Sequence, residues 1–236
     1  MTESAELNEF LFEGRSIQYR FAPSAKPGAP LLVMFHGNTV NPRPSSYRNG
    51  NWNILCPVDN YGYNGAGTWY LGENGDFFWL RAMPALIRKV YGGEYVCFAG
   101  SSMGGYAAIL HGIRHKAKAV YANIPQTTLL GSTYAAQGMK KCFDIIFGAA
   151  IDADYNDLRN QLSDDIKTLF IITGNQFDKA NYVQEQYLPF IGKLIDLNIR
   201  VHFELRPEEG HKLTYSFVQA VELIERYLEE AAAQNP

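Results

Sequence analysis

A chain of 236 residues, 47% hydrophobic and 14% aromatic, holds enough apolar mass for one substantial core, and residues 1–236 read as a single domain. Its 21 basic and 24 acidic residues leave a formal charge of -3, which supplies no basic field for nucleic acid or for an anionic membrane surface. Three cysteines, Cys56, Cys97 and Cys142, form no CxxC pair, and two of them sit in apolar runs, so they read as buried thiols rather than a disulfide framework.

The chain opens on MTESAELNEF, acidic where a secretory leader is basic and then apolar, and nowhere do about 18 apolar residues run together. A frayed start and a cytoplasmic, non-membrane chain are expected. Residues 16–21 (SIQYRF) alternate like an edge strand, while 31–36 (LLVMFH) and 53–58 (NILCPV) are continuous apolar runs of the kind buried on both faces. In 77–91, Phe78, Leu80, Met83, Leu86, Ile87 and Val90 recur close to a 3.6 period, which predicts a helix with Pro84 as a kink or late first-turn residue. The alternation continues with a strand over 95–99, a helix over 104–114, a strand over 118–122 and a helix within 133–147. A strand over 168–173, a helix over 181–197, a strand over 200–205 and a helix over 214–232 complete it. Strands joined by helices imply an α/β fold, a mostly parallel sheet of seven or eight strands with helices on both faces. No repeat, linker or separate lid domain interrupts it before the AAAQNP tail.

Three stretches depart from this rhythm: 37–51 with its prolines, the glycine- and aromatic-rich 59–76, and the polar 148–166. The first two follow strand ends, where open parallel sheets hold their ligands, so both are candidate pocket walls. In the second, Tyr61, Tyr63, Trp69 and Tyr70 either pack the loop onto the domain or, if exposed beside Asn60, Asn64 and Asn74, form a surface for a sugar or aromatic ester.

Between strand-like YVCFA and helix-forming YAAIL lies GSSMGG, and only Ser102 there has glycine on both sides at a spacing of two, Gly100 and Gly104. G-x-S-x-G between strand and helix holds a serine in a sharp turn with its hydroxyl exposed. A serine hydroxyl needs a base and a group to orient that base. Asp178 follows the TLFIIT strand and His211 follows the VHFEL strand, each in a loop at a strand's C-terminal end; Asp164, Asp165 and Glu208 are alternatives for the orienting acid. GSSMGG matches neither dinucleotide nor P-loop spacing, and His111 and His115, the one close histidine pair, lack a glutamate between them and read as a solvated helix face. No metal and no cofactor is expected.

The order Ser102, Asp178, His211, each after its own strand, resembles the α/β-hydrolase superfamily over most of the chain. The resemblance implies Ser102 as nucleophile, His211 as general base and then acid, and Asp178 as the group that orients it. It also implies an oxyanion hole from the backbone N–H groups of Met103 and of Asn38, the latter in the His36-Gly37-Asn38 turn, although the H-G-G-G form is absent. The implied activity is a carboxylesterase-type serine hydrolase acting on a small-molecule, soluble ester. The alternatives are an O-acyltransferase with a sugar or alcohol acceptor and a binding protein with an idle triad. The nucleophile turn together with Trp69-Tyr70-Leu71-Gly72 also resembles the acetyltransferase-like accessory proteins of serine-rich adhesin export, which implies a carbohydrate-linked ester.

Overall fold

The structure, a computed structural model, describes residues 7–179 and 181–233; the first six residues of the acidic opening and the last three of the tail fall outside these. The chain starts with a hairpin, β1 (Asn8–Phe12) and β2 (Arg15–Ala22), turned through Glu13 at φ 48° and Gly14 at φ 74°. Two successive left-handed residues make the mirror-image turn that matches the twist of paired strands. β1 therefore takes the sheet edge expected of 16–21, and part of the expected frayed start is a strand. β2 pairs antiparallel with β4 (Asn53–Pro57), and β3 (Leu31–Phe35), β5 (Val96–Ser101), β6 (Ala119–Asn123), β7 (Leu169–Phe177) and β8 (Val201–Glu209) continue the sheet in parallel. The order is β1-β2-β4-β3-β5-β6-β7-β8, eight strands in one sheet.

Alternate residues of the central strands feed two cores. Leu31, Val33 and Phe35 of β3 face one, and Leu32 and Met34 the other. Against the first core pack α1 (Phe78–Val90), α2 (Met103–Arg114), α3 (Lys140–Phe147), the single turn α4 (Ala153–Asn156) through Tyr155, and α5 (Leu188–Asp196). The second core is closed by α6 (Phe217–Ala233) with Ala220, Val221 and Ile224, together with Trp52. In α1 the buried stripe is Phe78, Trp79, Ala82, Met83, Leu86 and Ile87, with Leu80 and Val90 at its margins and Pro84 inside the helix. Removing one such apolar side chain from water contributes about 2 kcal/mol, which is why tertiary packing holds α1 despite its proline. The 148–166 stretch is not plain loop: besides α4 it makes a 3-10 turn, Leu158–Gln161, that buries Leu158 completely. All three cysteines are free and buried.

The His111 and His115 pair is not a solvated face. His111 is 1% exposed, and its Nε2–H donates to the Tyr70 carbonyl at 3.0 Å, tying α2 to the aromatic loop. Burial lowers its pKa from 6.5 to about 3. Below pH 6.5 the unfolded chain binds a proton that folded His111 refuses until about pH 3, so acid favours unfolding through this window. Between pH 6.5 and 5 this residue alone costs the fold about 2 kcal/mol. Urea unfolding at a series of pH values should show that loss, reduced by about the same amount in His111→Gln; an equal loss in both proteins contradicts the assignment.

Candidate active site

β5 runs into α2 through Gly100-Ser101-Ser102, and Ser102 occupies the left-handed backbone at φ 56°, ψ -118°. A Cβ on Gly100 would stand 2.1 Å from the Gly104 carbonyl oxygen, and one on Gly104 would stand 2.6 Å from that of Phe35, closer than real atoms approach. The two glycines let α2 begin directly against the ends of β5 and β3. The Ser102 N–H donates to the Asn123 carbonyl at 2.9 Å, which anchors the strained turn to β6.

β7 and β8 run longer than their apolar cores suggest, staying paired through an irregularity between Asn175 and Phe177. Asp178 and His211 follow these extended ends. His211 Nε2 lies 2.8 Å from Ser102 Oγ, and His211 Nδ1 lies 2.9 Å from Asp178 Oδ2 and 3.0 Å from Oδ1. The Asp178 side chain is completely buried and also accepts from the Tyr187 hydroxyl at 3.2 Å. Asp178 thus holds the position for which Asp164, Asp165 and Glu208 were alternatives. Asp165 accepts from exposed Ser163, and Glu208 faces Arg206 at 3.7 Å.

Residues that the sequence reading did not single out hold this relay. Asn175 Nδ2 donates to the Gly210 and Lys212 carbonyls at 2.9 and 3.0 Å, gripping the backbone on both sides of His211. Asn123 Oδ1 accepts from Thr173 Oγ1 at 2.9 Å and from the Thr214 N–H at 3.0 Å, so the strand that anchors Ser102 also holds the His211 loop. Tyr182 meets the His211 ring edge-on at 5.3 Å, and Tyr134 stacks on it at 6.1 Å.

Gln126, fully buried, sits just past β6. Trp69 Nε1–H donates to its Oε1 at 2.9 Å, which turns its Nε2 toward Ser102 Oγ at 3.1 Å and toward the Tyr182 hydroxyl. Burial pushes the pKa of the Tyr134 phenol up to about 12, so it stays protonated at neutral pH. A polar residue in an irregular segment after a strand gives no sequence signal for either role.

A cavity of 620 Å³ opens over Ser102 and His211, lined by His36, Asn38, Pro44, Ile124, Leu213 and Phe217 among others. The proline-rich 37–51 stretch forms its wall, as expected of that loop. The aromatic loop does not. Trp69 and Tyr70 are 0% exposed in the core, Tyr61 donates its hydroxyl to the Ser16 carbonyl, and none of Tyr61, Tyr63, Trp69 and Tyr70 lines the cavity. What turns the loop inward is Asp59, a buried carboxylate that accepts from the N–H groups of Thr68 at 2.6 Å and Tyr70 at 2.9 Å and from Thr68 Oγ1 at 2.9 Å. These bonds stabilise the left-handed backbone of Trp69 and Tyr70, at φ 54° and 52°. Tyr63 remains on the surface under the Lys141 ammonium.

Asn38 lines the cavity, and its side-chain amide is committed elsewhere, donating to the Ala66 carbonyl at 2.8 Å. Neither its backbone N–H nor that of Met103, the first residue of α2, donates to a backbone carbonyl among the described residues. The preceding His36 is held by Nδ1–H to the Gly37 carbonyl at 2.8 Å and by the Asp59 N–H to its Nε2 at 2.9 Å. Burial lowers its pKa, in keeping with a neutral ring that fixes this turn.

No family model matches the sequence, and no curated protein matches it. Solved structures do. A capsule O-acetyltransferase of Neisseria meningitidis serogroup A superposes with a TM-score of 0.70 at 19% identity, covering 95% of this chain and 93% of that one. An S-formylglutathione hydrolase from Agrobacterium tumefaciens gives 0.69 at 15% identity, over 96% and 94%. A ferulic acid esterase gives 0.58 at 15% identity, over 94% and 97%. These neighbours, with the parallel sheet and the strand-turn-helix at Ser102, show that the chain has the α/β-hydrolase fold.

Proposed function

We propose that this protein is a serine hydrolase that cleaves small esters through an acyl-enzyme intermediate. The observation that carries this reading is the unbroken hydrogen-bond chain from Ser102 Oγ through His211 to buried Asp178 on the wall of a cavity. With His211 Nδ1–H donated to Asp178, Nε2 is the acceptor for the Ser102 proton. Oγ attacks the ester carbonyl as that proton moves to His211. Gln126, a donor to Oγ, favours the negative charge that grows there. The carbonyl oxygen becomes an oxyanion facing the Asn38 and Met103 N–H groups, donors worth about 3 kcal/mol each in such sites. The tetrahedral intermediate collapses as the His211 proton passes to the departing alcohol. Water then gives a proton to His211, attacks the acyl carbonyl, and releases the acid as Oγ recovers the proton. The apolar cavity residues Ile124, Leu213 and Phe217 suit a short acyl or alcohol group.

A second reading is acyl transfer to an alcohol. The cavity volume of 620 Å³ leaves space beside a short acyl group for an acceptor in place of water, and one structural neighbour bears the name of a capsule O-acetyltransferase. A carbohydrate substrate loses the argument from exposed rings, because those rings are buried or lie outside the cavity.

Turnover of short-chain aryl esters should fall by a factor on the order of 10⁴ or more in Ser102→Ala, with the fold intact by circular dichroism. Undiminished turnover in that variant overturns the proposal, and product diverted to an added alcohol favours transfer over hydrolysis. Asn175→Ala, which frees the backbone around His211, should lower kcat about tenfold or more while KM changes little. An unchanged kcat contradicts its positioning role.

A further inference from the structure

The proline-rich wall of the cavity carries a charge that no group among the described residues neutralises. Arg43 lines the cavity, exposed, and forms no ion pair or hydrogen bond among the described residues. Among the described residues, no Asp or Glu shares the wall with it. Asp178, the carboxylate next to His211, has its side chain sealed from solvent and bonded to His211 and Tyr187. The chain as a whole bears a formal charge of -3, so this mouth has the opposite sign to the molecule around it.

The backbone that presents Arg43 is stiff. It sits between Pro42 and Pro44, so its neighbours' φ angles are fixed and its own conformation is restricted toward extended backbone. Pro42 is buried, and the Pro44 carbonyl accepts from Arg20 Nη1 at 3.2 Å. Further on, the Tyr47 ring lies 6.3 Å from that of Phe217, which fastens the same loop to α6. The stiff backbone fixes where the side chain starts at the cavity mouth, and the planar fork of its guanidinium matches a carboxylate or phosphate. Ser46, exposed on the same wall with no hydrogen bond among the described residues, offers a hydroxyl to the same cavity.

We infer that Arg43 selects esters bearing an anionic group, a carboxylate or a phosphate, beyond the scissile bond. This rests on the ester-cleaving reading of Ser102. The matched probes are 3-acetoxybenzamide, 3-acetoxybenzoate and 3-acetoxyphenyl phosphate, compared by kcat/KM in the wild type, Arg43→Gln and the surface control Arg48→Gln. At least one anionic probe should exceed the neutral amide by about tenfold in the wild type, mainly through KM, with the advantage shrinking at high salt. Arg43→Gln should abolish that ratio and Arg48→Gln should keep it; the probe that gains tells carboxylate from phosphate. No anionic preference in the wild type, or one that survives in Arg43→Gln, overturns the inference. Failure of the ester-cleaving reading is distinct, since all three probes then go unhydrolysed. Calorimetric binding of the probes to Ser102→Ala, with and without Arg43→Gln, then decides: anionic preference lost with Arg43 supports the inference, and its absence or persistence refutes it.

Discussion

The site depends on a steric fact: no side chain fits at Gly100 or Gly104. Their missing methyl groups let the first turn of α2 touch the final carbonyl of β3 and lay the Gly104 carbonyl against Gly100 of β5, and that contact drives Ser102 into left-handed backbone with its hydroxyl outward. The strain is offset at once by the Ser102 N–H to the Asn123 carbonyl and by a helix whose first ten residues are buried. Asn123 extends the same anchorage through its side chain to Thr173 and Thr214, so the serine after β5, the acid after β7 and the histidine after β8 share one rigid frame. Placement to a fraction of an ångström, which this chemistry needs, follows from the frame rather than from the loops.

The two loops beyond the sheet show how local chemistry decides which becomes a wall. Both follow parallel strands, and both read as candidates. The 59–76 loop contains Asp59, whose carboxylate gathers the N–H groups of Thr68 and Tyr70 and turns the neighbouring aromatic rings into the core. There Trp69 serves the site indirectly, fixing Gln126 against Ser102. The 37–51 loop is held instead by Arg20 on the Pro44 carbonyl and by Tyr47 against Phe217 of α6. Its prolines prevent a helix, and the space it leaves is the cavity.

Period and punctuation made most of the architecture readable: apolar runs separated by helical stripes lead directly to a mostly parallel sheet, and G-x-S-x-G with Asp178 and His211 after later strands leads to the relay. The misses have physical causes. β1 is short and only half buried, so its alternation was too weak to separate from a frayed end. The last residues of β7 and β8 are exposed, and backbone pairing rather than burial makes them strands. Asn175, Gln126 and Asp59 act through hydrogen bonds to partners between 9 and 57 positions away, a relation no local pattern displays. His111 looked solvated because its burial depends on Tyr70 arriving from another loop.

The account stands or falls on whether this frame makes Ser102 a nucleophile. The direct measurement is reaction of the folded protein with a fluorophosphonate, followed by mass spectrometry of its peptides. The account predicts one adduct, on Ser102 and not on its neighbour Ser101, lost when His211 is replaced by alanine or the protein is unfolded first. An unlabelled Ser102 in folded protein, or labelling that is indifferent to His211, would contradict it.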